Sequence, residues 1–125
     1  MMRWLLLAAI LWTSPAMATD AASQGQAIFA RNCAPCHGPG IGNPGASQKP
    51  GTAALAAKYG GILPALLEER RDLTPELVAF FVRNGATVMA PYRKTEISDA
   101  ELAALGTYLS RNNPKPSGRK IRKTS

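Results

Sequence analysis

The sequence predicts an all-α chain of several short helices joined by long loops, and three observations carry that prediction. Thr74-Pro75-Glu76 and Ser98-Asp99-Ala100-Glu101 are explicit helix starts. The fourteen residues from Gly38 to Gly51 hold more Pro and Gly than any regular element tolerates. No segment reads as a strand, and no internal repeat is present.

At 125 residues, 46% hydrophobic and 18% charged, the chain has room for one ordinary globular domain and is neither disordered nor fibrous in composition. Residues 1–18 read as a cleaved export signal. Arg3 precedes an apolar run over residues 4–12, and Ala16-Met17-Ala18 supplies the small-x-small pattern of a cleavage site. The run is shorter than the roughly 20 residues needed to cross a bilayer. Cleavage after Ala18 would leave a domain at 19–112 and a basic tail at 113–125, with no transmembrane anchor, in the bacterial periplasm. A domain of that size gains from any bound group that helps to fill its core.

The net charge of +7 sits mostly at the end. Lys115, Arg119, Lys120, Arg122 and Lys123 have no acid among them, whereas residues 19–114 carry nine Lys or Arg against eight Asp or Glu. A solvated tail is the expectation. With no interleaved aromatics and no binding motif, a nucleic-acid partner is not expected.

Residues 20–33 form the first expected helix, with Ser23 as N-cap, Ala27, Ile28, Phe29 and Ala30 on its apolar face, and Gly25 allowing another backbone to come close. The Pro/Gly-rich loop over 38–51 follows. Long structureless loops inside compact domains are commonly functional, and this one fits a chain wrapping around a bound group. Short helical stretches are expected over 52–59 and 63–70, separated by Gly60-Gly61. The Thr74 helix should bury Leu77, Val78, Phe81 and Val82 and stop at Asn84-Gly85. The last helix has a capping box from Ser98 to Glu101, a staple between Ile97 and Leu102, and an apolar stripe of Leu102, Leu105, Tyr108 and Leu109. From Asn112 onward periodicity ends.

The chemistry concentrates in Cys33-Ala34-Pro35-Cys36-His37. In Cys-x-x-Cys-His two thiols can add across the vinyl groups of a haem, and the adjoining imidazole then sits beneath the iron as its proximal ligand. A thioredoxin-like redox pair would need a βαβ context. A structural zinc site needs four ligands, whereas the mature chain offers two Cys and one His. A plain disulfide would form a tight ring and leave His37 without a role. Haem c on Cys33 and Cys36, with His37 axial, is therefore the expected cofactor.

The second axial ligand follows by elimination. His37 is the one His, and Met1, Met2 and Met17 depart with the leader, leaving Met89 as the thioether of the mature chain. It lies between the Gly85 helix stop and Pro91, in a loop rather than on a core-facing helix stripe. A neutral thioether favours the ferrous state and raises the potential. The competing reading has Met89 merely packing against the haem as an adaptable core residue.

Taken together, Gly25, Phe29, Cys33 to Gly38, the Met89 loop and the closing helix with Leu105 and Tyr108 resemble the class I c-type cytochromes, over residues 21–112. The resemblance implies the class I cytochrome c fold, with helices and loops wrapped around one haem. It also implies that the first and last helices cross, Gly25 and Phe29 meeting Leu105 and Tyr108. It further implies a Pro carbonyl against the proximal imidazole, from Pro44 or, preferably, Pro50. The family usually follows its ligand Met directly with Pro, whereas Ala90 intervenes here. A narrower resemblance runs from Leu73-Thr74-Pro75-Glu76-Leu77-Val78 through Val82-Arg83-Asn84-Gly85 to the segment from Tyr92 to Leu102. This part is similar to the cytochrome subunits of flavoprotein phenol dehydrogenases such as 4-cresol dehydrogenase, in which the cytochrome removes electrons from a flavin one at a time.

The expected function is single-electron transfer between redox protein partners, with no catalytic residues. Its contact surface would be the haem edge near Ala34, Pro35 and the loop 89–91. The cytochrome would serve either transient donors and a cytochrome or oxidase acceptor, or a flavoprotein dehydrogenase subunit. A haem enzyme or gas sensor would instead need Met89 off the iron.

Overall fold

The computed structural model describes residues 16–115. Every regular element among them is helical, as expected: α1 (Ala16–Ile28), a π-helical turn (Phe29–Cys33), α2 (Ala34–His37), α3 (Pro50–Tyr59), a 3-10 turn (Leu67–Glu69), α4 (Pro75–Asn84) and α5 (Asp99–Leu109). One isolated bridge, Ala86 to Met89, is the only β-type pairing among the described residues. None of their helices is long and apolar enough to cross a membrane. The expected leader falls outside the described residues up to Pro15, and Ala16 to Ala18 open α1. Most of the basic tail, from residue 116, also falls outside.

Two helices meet at the position of smallest side chain. Gly25 on α1 faces the Ala104 carbonyl and Tyr108 of α5 so closely that a Cβ there would come within 2.6 Å of the Tyr108 Cβ. One turn on, the Phe29 and Tyr108 rings pack at 6.0 Å between centroids, tilted by 48°. Ile28, Phe29, Val78, Val82, Leu105 and Leu109 complete the core around this crossing. The backbone nearest Gly25 is that of Ala104, while Leu105 is fully buried beside it.

The helix starts follow the sequence. Thr74 Oγ1 accepts from the Leu77 amide at 3.2 Å. Ser98 and Glu101 exchange both capping-box bonds, with Ile97 and Leu102 buried beneath them. Gly60 closes α3 in the left-handed region at φ 55°, where a Cβ would be strained.

Four expectations are corrected. Ser23 is not a cap, because the Ala-rich stretch before it extends the helix upstream and the Ser23 hydroxyl back-bonds to the Asp20 carbonyl at 2.9 Å. The stretch 63–70 contains only the turn Leu67–Glu69, since Pro64 pushes Leu63 away from helical geometry. Leu77 and Phe81 do not face inward: they are 37% and 36% exposed, and of the four residues expected inside, α4 buries only Val78 and Val82. The end of the domain is held rather than free at Asn112 and Asn113, whose amides donate to the Glu68 and Leu73 carbonyls at 2.7 and 2.6 Å. A minor shift starts α3 at Pro50, because Pro is well placed in a first helical turn.

The segment before α4 is fastened by charge. Arg70, only 4% exposed, makes two 2.6 Å bonds to the Asp72 carboxylate and lies 4.7 Å over the Tyr59 ring. These hydrogen bonds hold the Asp72 carboxyl below its ordinary range. The contribution is therefore complete above the ordinary carboxylate pKa of about 4 and disappears as pH falls through the lower folded value.

Two outcomes follow. Gly25→Val should cost about 1–3 kcal/mol or more in urea unfolding, since α1 and α5 must separate; an unchanged midpoint would contradict the close crossing. Asp72→Asn should lower the urea midpoint at pH 6, and its difference from the parent should shrink steadily as pH falls below about 4, vanishing only below the lowered folded value.

Candidate haem site

α1, the π turn and α2 run on without a break, so Cys33 ends the π turn and Cys36 and His37 lie on the single turn of α2. The π turn inserts one residue into the ladder, a feature frequent at functional sites. The sequence carries no ready signal for it. Pro35 stands at the start of α2, directly after the π turn.

α2 is clamped to the start of α3. The Lys49 ammonium donates to the Ala34 carbonyl at 2.8 Å, and the buried Thr52 hydroxyl donates to the Gly38 carbonyl at 3.2 Å. Gly51 lies flat against the imidazole: a Cβ there would stand 2.6 Å from His37 Cε1 and 2.7 Å from Nδ1. Lys49, Gly51 and Thr52 were not singled out from the sequence. Lys49-Pro50-Gly51-Thr52 carries no ready signal for these contacts.

Burial lowers the His37 pKa, which keeps the imidazole neutral and able to ligate. Its Nδ1 is buried without a hydrogen-bond partner. The expected Pro carbonyl is therefore not on that nitrogen. Pro50 opens α3, whose carbonyls point along the helix axis, and Gly51 is the residue that reaches the ring. Burial, and then neighbouring Cys36, push the Cys33 thiol up to about 11. Such a thiol is not the low-pKa thiolate of a disulfide oxidoreductase. Cys33 and Cys36 form no disulfide, and no cluster of three or more His, Cys, Asp or Glu suited to a metal ion occurs among the described residues.

Met89 closes a tight turn. Ala86 and Met89 exchange backbone bonds of 3.0 and 2.8 Å, Thr87 adopts φ 49° and Val88 is 98% exposed, while Met89 itself is half-buried. Gly85, at φ 72°, lets the chain fold back: a Cβ there would stand 3.0 Å from the Pro91 nitrogen. Three residues beyond Met89, the Tyr92 hydroxyl donates to the Asn32 carbonyl at 2.9 Å, so this segment adjoins the turn carrying Cys33.

These residues fit a haem. Two thiols and an imidazole kept neutral by burial share one short stretch, and Gly51 lets the start of α3 pack against the Nδ1 edge of the ring. An open groove of about 310 Å³ is lined by Gly38, Pro39, Ile41, Thr52 and Leu66 among others; His37, the two cysteines and Met89 are not part of its lining.

An all-α chain with this attachment motif is a c-type cytochrome. Residues 20–109 match the family described as cytochrome c oxidase, cbb3-type, subunit III, and the chain belongs to that family of haem c-binding electron-transfer domains. Comparison with curated proteins and with solved structures returned no match.

Gly51→Ala should displace the imidazole. Haem incorporation should fall, and the thermal midpoint of the holoprotein should drop by about 4–8 °C for each kcal/mol lost. Normal haem content and an unchanged midpoint would contradict the cradle.

Proposed function

We propose that this cytochrome passes single electrons between redox proteins, with haem c attached through Cys33 and Cys36 and its iron ligated by His37 and Met89. The observation that carries the reading is Met89's place: half-buried on a turn whose continuation is bonded to the residue before Cys33. Bound haem c supplies a one-electron ferric/ferrous couple, and a thioether opposite an imidazole favours its reduced form.

The chain's own residues divide the work. Gly51 and the clamp from Lys49 and Thr52 fix the His37 ring, and burial keeps it neutral. The Ala86–Met89 turn presents the thioether. If His37 and Met89 both held the iron, no position would be left for a substrate or gas, which favours a carrier over a haem enzyme or sensor. Residues 1–18 support export to the periplasm after cleavage at Ala18.

A second reading makes the chain a subunit held on a flavoprotein dehydrogenase of the phenol-oxidising type. The likeness over residues 73–102 supports it, as do Phe80 and Val88, apolar side chains 57% and 98% exposed on α4 and on the Met89 turn. Co-elution with a flavoprotein on gel filtration of the native protein is expected for the subunit and not for a free carrier.

Met89→Ala should convert slow carbon monoxide binding by the reduced protein into rapid binding. It should also lower the potential by a sizeable part of the roughly 0.8 V range that axial ligands span. Unchanged binding and potential would remove Met89 from the iron.

A further inference from the structure

The Met89 turn has little packing of its own. Thr87 and Val88 at its tip are exposed, and its internal bonds are local, the Ala86–Met89 pair and one from the Thr87 hydroxyl to the Ala86 carbonyl at 2.8 Å. Its orientation therefore depends on what fastens the chain on either side. On the near side Gly85 closes α4, with its amide donating to the Phe81 carbonyl at 2.8 Å. On the far side the fastening is Tyr92.

Each polar group of Tyr92 is committed. Its amide donates to the Val82 carbonyl at 2.7 Å, and its own carbonyl accepts from the Arg83 guanidinium at 3.1 Å, so two bonds tie it to α4. Its hydroxyl reaches 60 residues back along the chain to the Asn32 carbonyl at 2.9 Å. A π turn shifts the helical ladder by one residue and opens carbonyls around it to outside donors. The Tyr92 hydroxyl is such a donor, and it acts one residue before Cys33. The ring is half-buried beside the core.

We propose that the Tyr92 hydroxyl is a positioning residue that holds the Met89 turn against the Cys33 turn, so that the thioether stays within reach of the iron. This rests on Met89 as a ligand. Both bonds from Tyr92 to α4 are made by its backbone and survive loss of the hydroxyl. The hydroxyl alone joins the Met89 segment to the Cys33 turn through this residue. Its loss should therefore loosen the thioether without unfolding the domain.

The test is stopped-flow carbon monoxide binding to the reduced holoproteins of the parent, Tyr92→Phe, Tyr108→Phe and Met89→Ala, with amide exchange over residues 86–92. Removing one hydrogen bond should speed displacement about threefold to tenfold in Tyr92→Phe and hasten exchange in that segment. Tyr108→Phe deletes another buried hydroxyl, bonded to Glu68, and should leave the rate unchanged. Tyr92→Phe binding at the parent rate, while Met89→Ala binds rapidly, would overturn the role of Tyr92 and leave Met89 as ligand. Equal acceleration in Tyr108→Phe would reduce the effect to general loosening and overturn it too. A parent that binds as fast as Met89→Ala would remove the Met89 ligation and this proposal with it.

Discussion

The contact between α1 and α5 at Gly25 governs the rest of the molecule. Because one helix has no side chain there, its backbone settles onto Ala104 and Tyr108, and Phe29 stacks on the same tyrosine one turn later. That crossing fixes where α1 ends, and the end of α1 is the π turn that delivers Cys33. The other face of α5 takes α4, where Gly106 allows the Pro75 Cα to approach so closely that a Cβ would stand 3.0 Å away. α4 in turn launches the Met89 turn. Two glycines on two helices thus set both halves of the site relative to one core.

The two halves are held differently. On the His37 side, two side-chain bonds and a glycine contact join α2 to α3, and the ring has little freedom. On the Met89 side the chain leaves regular structure after Asn84, and few contacts control it. In the ligation proposed above, a fixed imidazole would pair with a loop-borne thioether, which suits an iron that changes charge without changing partners. The turn also keeps Val88 outside, where a docking protein can meet it.

Much of this was legible in the residues. Thr74 and Ser98 act as caps because their hydroxyls accept amides that a helix start leaves unpaired, a local matter that spacing reveals. The Cys33 to His37 spacing is equally local. Burial of Leu77 and Phe81 was misjudged because a helical stripe records which face is apolar, not whether protein or a bound group covers it. The π turn, the Lys49 clamp, the Gly51 cradle and the anchoring of Asn112 and Asn113 are tertiary: each joins residues whose partners lie elsewhere in the chain or whose geometry no pattern announces. Ser23 illustrates the converse, a good cap residue overruled by the alanines preceding it.

The central claim is a haem closed on one side by His37 and on the other by Met89. Proton nuclear magnetic resonance of the reduced holoprotein tests it most directly, because a thioether methyl held over the haem face is shifted far upfield by the ring current. Met89 follows every other methionine by more than seventy residues and is the only one in the matched region. A single far-upfield three-proton methyl signal, absent from Met89→Ala, is the predicted result. A Met89 methyl signal at the ordinary position of a packed methionine would contradict the account.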